Sequence, residues 1–370
     1  MRKIFLILSL TIALISFGHN SSQKESRWSI QPQFNYKVGF LVPHSKAVKV
    51  LMGGTFPIYE LGLEFPNLGT KEFKTNHPFH KWGVVLNFSP LSNPDLLGFS
   101  FGILPYLDIN LGYKSKKHLS FRLGSGLAYI QNPFDIKTNY KNVVIGSHLN
   151  NITDVLLKYR FNLTSKIETR IGFGIQHYSN GAFLRPNLGL NIPYANIGFK
   201  YGIDKNKNSG LKKYKSDSSR FYISLNYGSK TLIFENESRY SVYNLSGGYG
   251  LALNKNRYFN FQLDLFYDLS IPYLKEYDFK LKTKDNLIIG TFLCYEKRFG
   301  NIGFAIGSGY YIHSIYKNFN RDMSLKNRGS RFYNRGSIKI YFKHFYTSLS
   351  IKAHAGEADN LEIGIGYRFK

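Results

Sequence analysis

The chain has 370 residues, 43% of them hydrophobic, and a formal net charge of +26 at pH 7. A charge of that size ordinarily points to nucleic acid; the export signal described next excludes that partner and favours anionic lipid head groups. Tyr (28), Phe (31) and Gly (34) are abundant, whereas Cys294 is alone, so no internal disulfide staples the fold and the thiol is expected to be buried.

The first segment reads MRKIFLILSLTIALISFGHNSS, with Arg2 and Lys3 ahead of an apolar run from Ile4 to Phe17 and small or polar residues after it. A basic start, a short apolar core and a small-polar exit predict a secretory signal peptide over residues 1–22. No Cys follows the run, so a lipoprotein anchor is not expected. Beyond it, no stretch is apolar for the roughly 18 residues that a membrane helix needs. Strands are the remaining way to cross.

Alternation supplies them. Ile30, Phe34, Tyr36, Val38 and Phe40 fall on one face of the first strand, with Gln31, Gln33, Asn35 and Lys37 on the other. Trp82, Val84, Leu86 and Phe88 oppose Lys81, Gly83 and Asn87; Phe259, Phe261, Leu263, Leu265 and Tyr267 oppose Asn260, Gln262, Asp264 and Asp268. Side chains alternate across a strand, so each segment has one apolar and one polar face. Strands are predicted at 29–41, 56–65, 80–89, 98–112, 118–130, 151–162, 166–179 and 189–202. After the polar linker at 204–219 come 220–228, 240–253, 257–269, 286–298, 301–313, 332–342, 344–354 and 360–369. A soluble barrel would turn the apolar face inward, and a membrane barrel turns it toward lipid. Strands of about ten residues, aromatics near their ends and a terminal strand LEIGIGYRFK favour the membrane form.

The expected fold is therefore all-β, a transmembrane antiparallel β-barrel of about 16 strands in two related halves, 23–203 and 220–370. The halves resemble each other in LSFRLGSGLAYI at 119–130 against IGFAIGSGYYIH at 302–313. One barrel of sixteen strands or two of eight would both close without exposed edges. A single barrel is the expectation, because tandem membrane barrels would be unusual.

One strand breaks its own pattern. On 166–179 the odd-numbered face carries Ile167, Thr169, Ile171, Phe173 and Ile175, then His177 and Ser179. With the first strand running outward from the periplasm, this one does too, and the pair meets the outer leaflet near lipid head groups and acyl esters. A serine two residues from a histidine on one face is a candidate nucleophile with its base.

At these residues the sequence resembles the PagL family of outer-membrane lipid A 3-O-deacylases. The family's His-x-Ser-Asn motif followed by Pro-Asn reads here His177-Tyr178-Ser179-Asn180 and Pro186-Asn187. The resemblance covers roughly 29–202. The chain is also similar to exported acyloxyacyl hydrolases of Bacteroidetes in NPFD at 132–135 and GSHLN at 146–150. The resemblance implies Ser179 as nucleophile attacking an acyl ester of lipid A, His177 as general base, and Asn187 with amides around Asn180, Gly181 and Ala182 as oxyanion donors. It implies lipid A or lipopolysaccharide as substrate, outer-membrane lipid as surroundings, no cofactor and no metal.

The family's third member is a glutamate, and this chain has Asn191 in its place. An Asn oxygen can accept from a histidine N–H and fix the tautomer, but it cannot stabilise an imidazolium by charge. The other function class is thus a non-catalytic outer-membrane barrel, porin-like or structural, with a degenerate site. The discriminating feature is the hydroxyl and imidazole on a lipid face, where polar groups are expensive. Among other candidates, His148 is expected to line the loop over Ser179. Asp154, Lys158, Arg160, Glu168 and Arg170, and in the second half Lys352, His354, Glu362 and Arg368, are expected to form ion networks in the lumen. His77 and His80 have metal-like spacing without an acidic or Cys partner.

Overall fold

The computed structural model describes residues 30–66, 81–111, 118–202, 218–231, 239–254, 256–273, 283–299, 301–314, 331–354 and 357–369. The expected signal peptide, most of the 204–219 linker, and His77 and His80 lie outside the described residues. The chain forms sixteen antiparallel strands: β1 (Gln31–Phe40), β2 (Thr55–Pro66), β3 (Lys81–Ser89), β4 (Ser100–Asn110), β5 (Leu119–Ile130), β6 (Leu149–Asn162), β7 (Ile167–Ser179), β8 (Leu190–Tyr201), β9 (Arg220–Thr231), β10 (Arg239–Asn254), β11 (Arg257–Asp268), β12 (Leu287–Phe299), β13 (Ile302–His313), β14 (Phe332–Phe342), β15 (Phe345–His354) and β16 (Glu357–Arg368). Every predicted strand is present, with ends within three residues of those read from the sequence.

These strands close into two eight-stranded barrels, the second of the two arrangements that the sequence left open. The expectation of one large barrel is corrected by the pairing of β8. It returns to β1, from Gln33 opposite Lys200 to Gly39 opposite Tyr194. The second half closes likewise, β16 on β9, from Leu361 opposite Ser229 to Arg368 opposite Tyr222. Once β1 has satisfied the outer edge of β8, that strand has no free backbone groups to offer β9. Eight strands already enclose an interior that side chains can fill.

The faces are those of a membrane barrel. Phe34, Tyr36, Val38 and Phe40 are exposed, while Lys37 and Glu60 are 0% exposed inside. In the first lumen Arg122 donates from Nη1 and Nη2 to the two Glu60 carboxylate oxygens at 2.9 and 2.8 Å, and from Nε to Asp154 Oδ2 at 3.0 Å. Lys37 Nζ joins the same two acids at 2.6 and 3.0 Å. A second network sets Arg170 and Lys200 against Glu64 and Glu168, and Lys158 pairs with Asp108 at 2.7 Å. The second lumen is built alike, with Arg335 between Asp264 and Glu362, Lys339 on Glu296, and Lys352 on Asp359. His354 is buried there, its Nε2 2.8 Å from the Tyr311 hydroxyl. Buried charges demand partners, and the alternating polar face provides them across the barrel.

The first barrel has a long-loop end, formed by 41–54, 90–99, 131–148 and 180–189. There the lumen changes from charged to apolar: Val48, Leu51, Leu91, Leu97, Val144, Ile145, Tyr178 and Leu190 form one buried cluster. Two single helical turns supply part of it. Ser45 Oγ caps Lys46–Lys49 by accepting from Val48 N–H, and Asn93 Oδ1 caps Pro94–Leu97 by accepting from Leu96 N–H. This cap gives the 180–189 loop a packed floor.

Candidate active site

The site begins as cross-strand geometry. Residues directly opposite each other in an antiparallel pair share a face, with Cβ atoms about 4.5–5.5 Å apart. In the β7–β8 register His177 stands opposite Asn191; in the β6–β7 register it stands opposite Thr153, and Ser179 opposite Asn151. All these residues belong to the outward row, continuing the exposed Ile171, Phe173 and Ile175.

His177 Nδ1 lies 2.7 Å from Asn191 Oδ1. The Asn191 amide is oriented by its other contacts. Its Nδ2 faces His44 Nδ1 at 3.4 Å, and the backbone carbonyl of the same residue accepts from Val42 N–H at 2.9 Å. An amide oxygen only accepts, so this network assigns the imidazole proton to Nδ1 and leaves a lone pair on Nε2. The ring rests on Gly189, where φ is 77° and a Cβ would come within 2.7 Å of His177 Cε1. Only a glycine accommodates both the backbone and the ring at that position.

Ser179 is buried, and its Oγ is held by the loop that follows. Asn187 Nδ2 donates to it at 2.9 Å, Gly181 N–H donates at 3.1 Å, and the hydroxyl donates to Asn187 Oδ1 at 3.3 Å. The same Oδ1 accepts from Asn180 N–H at 2.9 Å, so the Asn180 amide is occupied, and Gly181 N–H is the backbone donor that meets the serine. The Asn180 side chain ties the loop to itself and to its neighbour, donating to Leu184 O at 2.8 Å and Ser147 Oγ at 3.0 Å. A bridge between Ile145 and Asn187 and a bond from Gly189 N–H to Val144 O at 3.2 Å fasten it to the cap.

Among the described residues no hydrogen bond joins His177 to Ser179. Two residues on one strand face are separated by roughly 6.6–6.8 Å along the strand. The serine hydroxyl here points to Asn187 and Gly181. Catalytic hydrogen bonds in ligand-free sites are often open in this way.

The stretches NPFD and GSHLN bracket the supporting loop. Asn142 Nδ2 donates to Asn132 O at 2.7 Å, and Asn139 Nδ2 donates to Pro133 O at 2.9 Å. His148 stacks on Tyr129 at 5.2 Å, with Nδ1 2.9 Å from Ile130 O, and its neighbour Ser147 makes the contact with the 180–189 loop. Sequence reasoning missed His44, Ser147 and Gly189, which meet the site through loops where alternation gives no direction. It also missed a polar ladder on the outward face beside Ser179. There Thr153 Oγ1 donates to Asn151 Oδ1 at 2.8 Å, and Asn151 Nδ2 donates to Ser125 Oγ at 2.9 Å.

Comparison with known proteins gives two family matches. Residues 58–200 match the family described as Lipid A 3-O-deacylase (PagL), and 219–370 match that described as Acyloxyacyl hydrolase, C-terminal domain. A search of curated proteins finds no match. Among solved structures the chain is similar to the KdgM porin, at 9% identity over 73% of this chain and 94% of that one, with a TM-score of 0.19. It is also similar to a mutant of the Rh. blastica porin, at 8% identity over 93% and 100%, with a TM-score of 0.19.

Proposed function

The chain belongs to the PagL family of lipid A 3-O-deacylases, and on that premise we propose that it is an outer-membrane serine hydrolase that removes an ester-linked acyl chain from lipid A. The observation that carries this reading is the outward row of β7. An imidazole with its Nδ1 fixed by Asn191 and its Nε2 open stands two residues from a serine hydroxyl, on the row that carries the exposed Ile171, Phe173 and Ile175.

The chemistry follows from those atoms. A lipid A acyl chain lies along Ile175, Phe173 and Ile171, which brings its ester to Ser179 without leaving the membrane. Ser179 Oγ attacks the ester carbonyl carbon while His177 Nε2 takes the hydroxyl proton. Gly181 N–H and Asn187 Nδ2 already point at Oγ and stand beside the developing oxyanion. Collapse of the tetrahedral intermediate expels the sugar hydroxyl, which leaves with the proton from His177. Water, deprotonated by the same imidazole, then releases the fatty acid from Ser179.

With long loops outside, as in bacterial outer-membrane barrels, the site meets the outer leaflet. The exposed Lys46, Lys49, Lys137 and Lys141 of the loops at that end suit a phosphorylated head group.

The test is release of free fatty acid from lipid A by the purified, folded chain. Ser179→Ala is expected to abolish release while keeping the gel mobility shift on heating that closed barrels show. Equal release by the two proteins would refute the proposal.

A further inference from the structure

The loop that holds Ser179 is also held by the second barrel. Along the outward row of β9, Phe221, Ile223, Leu225 and Tyr227 are exposed, yet Thr231 at the end of that row is 2% exposed. On β16, Ile363 and Ile365 are exposed and Leu361 is half-buried. Loop 180–188 covers both ends. Arg185 Nε donates to Thr231 O at 3.1 Å. The Arg239 guanidinium lies 4.0 Å from the centre of the Phe183 ring. Leu361 packs so tightly on Gly181 that a Cβ there would sit 2.5 Å from Leu361 Cγ. Gly181, with φ of 66°, is the residue whose N–H meets Ser179 Oγ.

A second contact, at the opposite end of the strands, is independent of that loop. Leu107 of β4 and Phe299 of β12 stand at outward-row positions but are 8% and 4% exposed, in one cluster with Ile109 and Phe304. Strands of such barrels tilt by roughly 35–45°, so climbing one strand carries the chain part way round. The upper end of β7 and the lower end of β4 therefore share a side of the first barrel, and β16 with β9 and β12 do so in the second. Both contacts lie on one seam running the height of the molecule, with Ser179 at its upper end.

We infer that the second barrel is a positioning partner of the catalytic loop, and that Leu361 is a positioning residue which keeps Gly181 N–H on Ser179. The inference rests on the reading of Ser179 as nucleophile. Misplacing a catalytic group by about 1 Å can lower a rate by up to roughly a hundredfold. The fall belongs in kcat, since the contacts with Thr231, Arg239 and Leu361 fall on the loop, while Ile171, Phe173 and Ile175 of β7 are exposed.

The experiment takes the full chain and its Leu361→Ala, Arg239→Ala and Leu361→Met variants, each checked for the heat-dependent gel shift. It measures kcat and KM on lipid A, and amide hydrogen exchange over 180–189. Leu361→Ala is expected to lower kcat by roughly tenfold to a hundredfold, leave KM within about twofold, and speed exchange in the loop. Leu361→Met should restore both, and Arg239→Ala should act in the same direction as Leu361→Ala. Unchanged exchange and unchanged kcat in Leu361→Ala and Arg239→Ala would overturn the inference. A wild-type chain inert toward lipid A, but with exchange sped by Leu361→Ala, would uphold the clamp and refute the hydrolase reading.

Discussion

Asn191 carries the main departure of this site from its family, and its geometry says what it can still do. It accepts the imidazole Nδ1–H at 2.7 Å, which fixes the ring, and it offers no negative charge when that ring becomes cationic. One hydrogen bond of this kind is worth about 1 kcal/mol, so Asn191→Ala should slow deacylation by roughly fivefold to tenfold. Asn191→Glu keeps the acceptor and adds the charge, so it should match or exceed the wild-type rate in the same fatty-acid assay. Asn187→Ala removes the side-chain donor on Ser179 Oγ together with the acceptor that holds Asn180 N–H. Loss of one oxyanion donor costs about 10²–10³ in kcat. Steady-state kinetics should therefore place this variant well below Asn191→Ala, and the reverse order would remove Asn187 from the oxyanion role. Parity put His177 and Ser179 on one outward face, and the family resemblance singled out Asn191 on the same face of the next strand. Gly189 and His44 were not legible in the sequence. Their contacts depend on where loops return, and no periodicity reports that.

At the scale of elements, alternation did nearly all the work. A period of two states which side chains face out, and the large contrast between lipid and a charged lumen leaves no tolerance for a register slip. Strand ends were therefore readable to within a few residues. The partners inside the lumen were not, because Arg122 meets Glu60 across 62 positions of sequence and only the closed pairing order brings them together. Arg122 is the hub of that network. Arg122→Leu leaves Glu60 and Asp154 buried with Lys37 as their remaining cation among the described residues. Breaking a buried pair costs about 3–5 kcal/mol. Urea unfolding of the detergent-solubilised protein, followed by loss of the heat-dependent mobility shift, should show destabilisation of that order. A change below about 1 kcal/mol would mean that the lumen charges are far better solvated than this burial implies.

For the whole molecule, the number of barrels was the part that the sequence left open. Sixteen amphipathic strands close equally well as one sheet or two, and the choice falls on a single pairing, β8 with β1 rather than with β9. That choice gives each half its own filled lumen and creates a seam between them, with Ser179 at one end. The central claim is that Ser179 performs chemistry on lipid A from the outward face of the first barrel. The most direct test is the mass spectrum of lipid A from cells carrying the wild-type chain or Ser179→Ala at equal levels of heat-modifiable barrel. The account predicts lipid A lighter by one ester-linked acyl chain in wild-type cells alone. Identical lipid A from the two strains would contradict it.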